Sequence, residues 1–263
     1  MSETYVGAVK TDAFEMEYIR FGGGKKNCVI IPGMSMKSVI PSAGAVAVQY
    51  RIFADDYTVY LFDRKKDIKK GYTVHNMADD TAAAMKSLGI KNADVIGASQ
   101  GGMIAECIAV RYPELVHKLA LCSTLARHNS VSEATFAKWI ELSEAGDAAP
   151  LNRDVYARVY SREYRDRFAL AFASLEKSGT PEEVARFGVL AEACRSFDIY
   201  SELSKIKCPI LAVGSENDEV LSPIGTREIA EKTGCRMIML DSSHAAYDEI
   251  KDYPKMLLDF FAE

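Results

Sequence analysis

The sequence has little with which to hold a metal ion. It contains 4 histidines, and its 6 cysteines (Cys28, Cys107, Cys122, Cys194, Cys208 and Cys235) are scattered without a C-x-x-C pair. That pattern forms no zinc ligand set and no disulfide framework, so no metal is expected and the thiols should be reduced and mostly buried. A basic excess is missing too: 32 Lys and Arg stand against 37 Asp and Glu, a formal net charge of −5. Nothing neutralises a run of phosphates, so nucleic acid is not an expected partner. No apolar run approaches the ~20 residues of a membrane span. The start, Met1-Ser2-Glu3-Thr4-Tyr5, offers neither the basic nor the apolar region of a signal peptide. A cytoplasmic protein without membrane association is therefore expected. Gly22-Gly23-Gly24 opens no helix and is not a dinucleotide fingerprint, so no cofactor is expected.

What is present is a large apolar fraction, 48% of 263 residues, enough to bury a sizeable core. Short apolar runs alternate with helical patterns. Glu15 to Phe21 reads as a strand. Cys28-Val29-Ile30-Ile31 is a continuous apolar run of the kind buried on both faces. A helix capped by Ser42 is expected to reach about Ala54. The run Tyr57 to Phe62 is the next strand. Met77, Thr81, Ala84, Met85 and Leu88 then repeat at helical spacing. Further strands follow at Asp94–Gly97, Leu119–Cys122, Pro209–Gly214 and Cys235–Leu240. Helices are expected from Met103 to Tyr112, from Ser222 to Thr233 and from Tyr253 to Phe261. The alternation predicts an α/β fold, a mostly parallel sheet with helices on both faces. Sites in such sheets lie outside the carboxyl ends of the strands.

Between residues 125 and 196 the alternation stops. Four helical patterns follow. They are marked by Phe136, Trp139, Ile140 and Ser143; by Val155, Tyr156, Val159 and Tyr160; by Phe168, Ala171, Phe172 and Leu175; and by Val184, Phe187, Ala191 and Cys194. The last opens with Thr180-Pro181-Glu182-Glu183, a capping box with proline at the first helical position. Residues 125–196 thus read as a helical insertion in a core made of 1–124 and 197–263.

Gly97-Ala98-Ser99-Gln100-Gly101 falls between a strand and a helix. In that context a G-x-S-x-G turn lifts a strained serine hydroxyl beside a helix N-terminus. Ser99 needs a base. His75 lies before a helix, His117 on the wrong side of a strand, and His128 in the first turn of the insertion. His244 directly follows the last strand, at its carboxyl end. A carboxylate must then orient the imidazole. Asp218 is best placed after the strand Pro209–Gly214, with Glu216 and Glu219 beside it.

These pieces resemble the α/β-hydrolase fold superfamily. The matching residues are Pro32-Gly33-Met34, Asp63-Arg64, Gly97 to Gly102, Gly214 to Asp218 with Pro223, and Ser243-His244 followed by Asp248-Glu249. The resemblance implies a four-helix cap at 125–196 and a Ser99–His244–Asp218 triad. It also implies an oxyanion hole from the backbone N–H groups of Met34 and Gln100. The chain departs from the family pattern at Pro32-Gly33 and at Asp63-Arg64-Lys65-Lys66-Asp67, which lacks the usual glycine. The lysines there (Lys65, Lys66, Lys69, Lys70) should form a solvated basic loop rather than an anion site. A serine nucleophile favours acyl transfer to water on a small ester, thioester, lactone or amide, so the expected partner is a small-molecule acyl substrate. C–C hydrolysis of a diketone acid, transfer to a hydroxyl acceptor, and a hydrolase-fold binding protein are the alternatives.

Overall fold

The computed structural model describes residues 4–263. Eight strands form one sheet: β1 (Tyr5–Lys10), β2 (Glu15–Phe21), β3 (Lys26–Ile31), β4 (Tyr57–Phe62), β5 (Ala93–Ala98), β6 (Val116–Cys122), β7 (Ile210–Ser215) and β8 (Arg236–Leu240). Their spatial order is β1-β2-β4-β3-β5-β6-β7-β8. The β1–β2 and β2–β4 pairs are antiparallel and all others parallel.

Alternation along the central strands sorts side chains to two faces. Val29, Ile31, Val95, Leu119 and Leu121 join one buried cluster, while Cys28, Ile30, Ile96, Ala120 and Cys122 join the other. The first face carries α2 (Val74–Ser87), α3 (Gln100–Arg111) and α9 (Ser222–Thr233). The second is covered by α11 (Tyr253–Ala262) through Tyr253, Leu257, Phe260 and Phe261. The helix expected from Ser42 is shorter than its pattern suggested. α1 (Ala43–Gln49) ends early, a 3-10 turn over Arg51–Phe53 follows, and Ser42 makes no side-chain cap bond.

Between β6 and β7 lie α4 (Ser130–Glu144), α5 (Ala148–Val159), α6 (Arg162–Arg167), α7 (Ala169–Glu176) and α8 (Pro181–Arg195). The third expected helix region contains two short helices that meet at Phe168, which ends α6 and precedes α7. The Thr180 capping box is formed, with Glu183 N donating to Thr180 Oγ1 at 3.2 Å and Thr180 N to Glu183 Oε2 at 2.9 Å. Phe136, Trp139, Leu151, Val184 and Phe187 belong to the same buried cluster as the first face of the sheet. A short α10 (Ala246–Glu249) follows β8. Among the described residues no helix is long and apolar enough to cross a membrane.

Candidate active site

Sheet register assembles the site. Ile31 pairs with Gly97, Ala98 with Cys122, and Cys122 with Val213. The chain leaving β3 therefore runs beside the turn leaving β5. A Cβ added to Gly33 would sit 3.3 Å from Ser99 Cβ, which measures how closely the two approach.

Ser99 has φ 52° and ψ −121°. For a residue with a Cβ such a conformation costs about 1–3 kcal/mol and persists only where the surroundings impose it. Here they do. Ser99 N donates to Cys122 O at 2.9 Å, and Thr124 Oγ1 donates to Ser99 O at 2.8 Å. A Cβ on Gly97 would lie 2.6 Å from Gly101 O, and one on Gly101 would overlap the backbone carbonyl of Ile31. Only glycine lets strand and helix pass this closely.

Gln100 is the first residue of α3, so its N–H has no acceptor within the helix. Its buried side chain ties three segments together. Arg64 Nε donates to Gln100 Oε1 at 3.1 Å, and Gln100 Nε2 donates to Leu190 O at 3.1 Å and to Cys194 Sγ at 3.2 Å. Arg64 also donates from Nη2 to Pro32 O at 2.7 Å. Burial brings the Arg64 pKa down to about 10, which leaves it charged at neutral pH. Asp63 Oδ2 accepts from Ser38 Oγ at 2.6 Å and from Val39 N at 3.2 Å. The Asp63-Arg64 pair thus fixes both ends of the loop that carries Gly33 and Met34. Nothing in the local sequence announces the role of the Gln100 side chain, because its partners lie far along the chain.

His244 is buried after β8, and its Nδ1 lies 2.8 Å from Asp218 Oδ2. Asp218 Oδ1 accepts from Val220 N and Leu221 N, each at 2.9 Å. Burial alone would raise the Asp218 pKa. The nearby His244, its hydrogen bond and the two amide donors outweigh burial, and the net shift is downward. An ionised carboxylate only accepts, so Nδ1 carries the proton and Nε2 is left as an acceptor. Ser99 and His244 face the same cavity of about 520 Å³, as do Gly33 and Met34. Among the described residues no hydrogen bond joins Ser99 to His244; such bonds are often long before substrate binds.

The other candidates are engaged elsewhere. His75 Nδ1 lies 3.4 Å from Cys107 Sγ, and His117 Nδ1 lies 2.8 Å from Asp94 Oδ1. His128 donates from Nε2 to Cys194 O at 2.7 Å. Glu216 is exposed and paired with Arg227 at 2.6 Å. In the basic loop Lys65 meets Asp80 at 3.0 Å, Lys66 meets Glu15 at 2.7 Å, and Lys69 lies 3.6 Å from Asp67. Cys28, Cys107, Cys122 and Cys194 are buried, Cys208 and Cys235 half-buried, and all are free thiols. Among the described residues no group of three or more His, Cys, Asp or Glu converges on a metal-sized site.

Known proteins share this fold. The candidate carbamate hydrolase RutD of Rhizobium rhizogenes is 28% identical over 193 residues, covering 70% of this chain and 74% of the relative. The candidate non-heme bromoperoxidase BpoC of Mycobacterium tuberculosis is 28% identical over 225 residues, covering 80% and 84%. The crystal structure of the enol-lactonase from Burkholderia xenovorans LB400 superposes with a TM-score of 0.86 at 22% identity, covering 98% of this chain and all of that one. The profile of the alpha/beta hydrolase fold matches residues 29–249, and the chain belongs to that family.

Proposed function

We propose that this hydrolase cleaves a small ester, thioester, lactone or amide through an acyl-enzyme on Ser99. The observation that carries the reading is one cavity lined by a strained serine, which immediately precedes α3, and by a His244 whose buried partner is Asp218. His244 Nε2 takes the proton from Ser99 Oγ as the oxygen attacks the acyl carbon. Asp218 holds the imidazole tautomer and stabilises the imidazolium. The N–H groups of Gln100 and Met34 receive the negative charge on the carbonyl oxygen, an effect worth about 2.7–4 kcal/mol per donor. The proton passes to the leaving group, and water then resolves the acyl-enzyme by the reverse sequence.

Residues 125–196 act as a cap on the core formed by 1–124 and 197–263. Trp139, Asn152, Val155, Tyr156 and Phe187 line the cavity from the insertion side, which supports a part in substrate selection. The cavity volume suits a small molecule. The carbamate hydrolase named among the relatives would also act at an acyl carbon.

The test combines labelling with turnover. A fluorophosphonate probe should label the wild-type protein but not Ser99→Ala. Hydrolysis of p-nitrophenyl butyrate should fall at least ~10⁴-fold in that variant with its melting curve unchanged. Retention of most activity in folded Ser99→Ala would remove Ser99 as the nucleophile.

A further inference from the structure

The cavity beside Ser99 carries an unusual wall. Besides His244, its ionisable lining consists of Lys37, Asp248 and the phenols of Tyr156, Tyr160 and Tyr247. Lys37 is exposed on the loop that follows β3. Asp248 belongs to α10, four residues after His244, and its carboxylate is accessible from the cavity. Tyr160 Oη donates to Asp248 Oδ2 at 3.0 Å. Among the described residues no Lys or Arg lies within ion-pair distance of Asp248. An ionised carboxylate has about four acceptor sites, so capacity is left towards the cavity. Surrounding protein raises the Asp248 pKa, against the hydrogen bond from Tyr160. The carboxylate is exposed and, among the described residues, lacks a protein cation within ion-pair distance.

The neighbouring surface is aromatic and fixed. Tyr160 stacks on Tyr164 at 5.3 Å and meets Phe172 edge-on at 5.1 Å, and Tyr156 meets Phe172 at 5.3 Å. Tyr247 follows the same α10 turn into the cavity. Aromatic rings beside a cavity-facing carboxylate without a cation partner attract a cation whose own hydration is weak, and a quaternary ammonium fits that description. A carboxylate-bearing substrate would instead meet Asp248 as a like charge.

We propose that the site selects substrates carrying an ammonium group, held by Asp248 against the rings of Tyr156, Tyr160 and Tyr247. The chemistry at the acyl carbon rests on the serine-hydrolase reading above; the cation subsite does not.

Matched pairs of esters test it, because replacing nitrogen by carbon removes the charge and keeps the shape. Acetylcholine is compared with 3,3-dimethylbutyl acetate for a cation in the leaving group. The p-nitrophenyl esters of 4-(trimethylammonio)butyrate and 5,5-dimethylhexanoate make the same comparison in the acyl group. In at least one pair kcat/KM should favour the cation by roughly tenfold or more. Asp248→Asn should bring that ratio close to one, and Asp248→Glu should retain it. A ratio at or below one in both pairs overturns the proposal. So does a ratio unaffected by Asp248→Asn, or a preference for p-nitrophenyl hemisuccinate over the ammonium esters. If no ester is turned over and Ser99 is not labelled, it is the hydrolase reading that has failed. The cation subsite is then decided by binding to Ser99→Ala, read by calorimetry. Acetylcholine binding roughly tenfold tighter than 3,3-dimethylbutyl acetate, with the difference lost on adding Asp248→Asn, supports it; equal binding overturns it.

Discussion

At the scale of single residues, Asp218 is a buried charge held from three directions. It accepts from His244 and from two backbone amides in a buried turn. Asp218→Asn keeps the shape but removes the charge and favours the wrong imidazole tautomer. A loss on the order of 10⁴-fold in kcat is expected, as in the best-studied serine protease triad. Glu216→Gln and Glu219→Gln should cost far less, since both side chains are exposed and Glu216 is committed to Arg227. A dead Glu216→Gln beside an active Asp218→Asn would move the acid by two residues. Asp218 also makes a prediction about pH. Its folded-state pKa lies below the unfolded value near ~3.9, so the stability it contributes is present above that value and is lost as pH falls through the folded-state pKa. Between about pH 4.5 and pH 2.5 the wild-type urea midpoint should therefore drop more than that of Asp218→Asn; parallel curves would contradict the assignment. The grouping of Ser99, Asp218 and His244 was legible in the sequence because each lies within a few residues of the end of a short apolar run, and strand ends are where a parallel sheet exposes its site. The partners Gln100–Arg64 and Asp248–Tyr160 were not legible as pairs. They join residues 36 and 88 positions apart, and only tertiary packing brings them together.

At the scale of elements, α3 shows how tightly the fold serves the serine turn. Gly101→Ala drives a methyl into the carbonyl of Ile31, a backbone atom that cannot step aside. Loss of several kcal/mol, or failure to fold, is the expected result, measured by chemical denaturation. The same helix buries Glu106 completely, with neither carboxylate oxygen hydrogen-bonded. Burial raises its pKa well above the ordinary value. For such a group the stability contribution is present below the unfolded pKa of ~4.3 and declines as pH rises towards the folded value, by up to about 1.4 kcal/mol per pH unit. Glu106→Gln removes that titration. Its melting temperature should exceed the wild type's by more at pH 8 than at pH 5, and an equal offset at both would mean that Glu106 is not the titrating group. Elements packed on both sides were the easiest to read, since their apolar spacing follows a period of 2 or 3.6. The edge strand β1 escaped because Tyr5 and Val6 are exposed and its pairing with β2 is invisible locally. The third helical pattern of the insertion is interrupted for a related reason. Phe168 and Leu175 are partly exposed and Leu170 is 91% exposed, so no core face demands one continuous helix there.

At the scale of the whole molecule, the helices between β6 and β7 hold the start of α3 and the loop that carries His244. On one side Gln100 reaches Leu190 and Cys194 of α8. On the other, the end of α5 clasps the loop that carries His244. Ser243 Oγ donates to Val159 O at 2.9 Å, and Ala245 N donates to the same carbonyl at 3.0 Å. Glu249 closes the clasp by accepting from Ser161 N at 2.7 Å and Ser242 Oγ at 3.1 Å, and its Oε1, 2.7 Å from Ser243 Oγ, competes with Val159 O for that hydroxyl's single proton. The helices between β6 and β7 were legible in the sequence, because strand alternation ceases near residue 125 and resumes past 196, but their grip on the histidine loop involves serines and backbone groups with no pattern of their own. Glu249→Ala tests whether this grip is a single mechanical unit. Hydrogen bonds to a charged group contribute about 1.5–3 kcal/mol each in net terms and are not additive, so a total loss of roughly 2–4 kcal/mol is expected. For a chain of this size that lowers the melting temperature by roughly 5–15 °C. Amide exchange should speed up together in two segments, 159–161 and 242–246, and kcat/KM for esters should fall as His244 loses its fixed position. Glu228→Ala is the control. It breaks the ion pair with the partly exposed Arg127 at the other edge of the insertion, where an exposed pair contributes at most ~1 kcal/mol, and it should leave both segments protected. If Glu249→Ala loosens 242–246 while 159–161 keeps its protection, the insertion merely rests on the histidine loop. Coincident loosening means that moving the insertion moves His244.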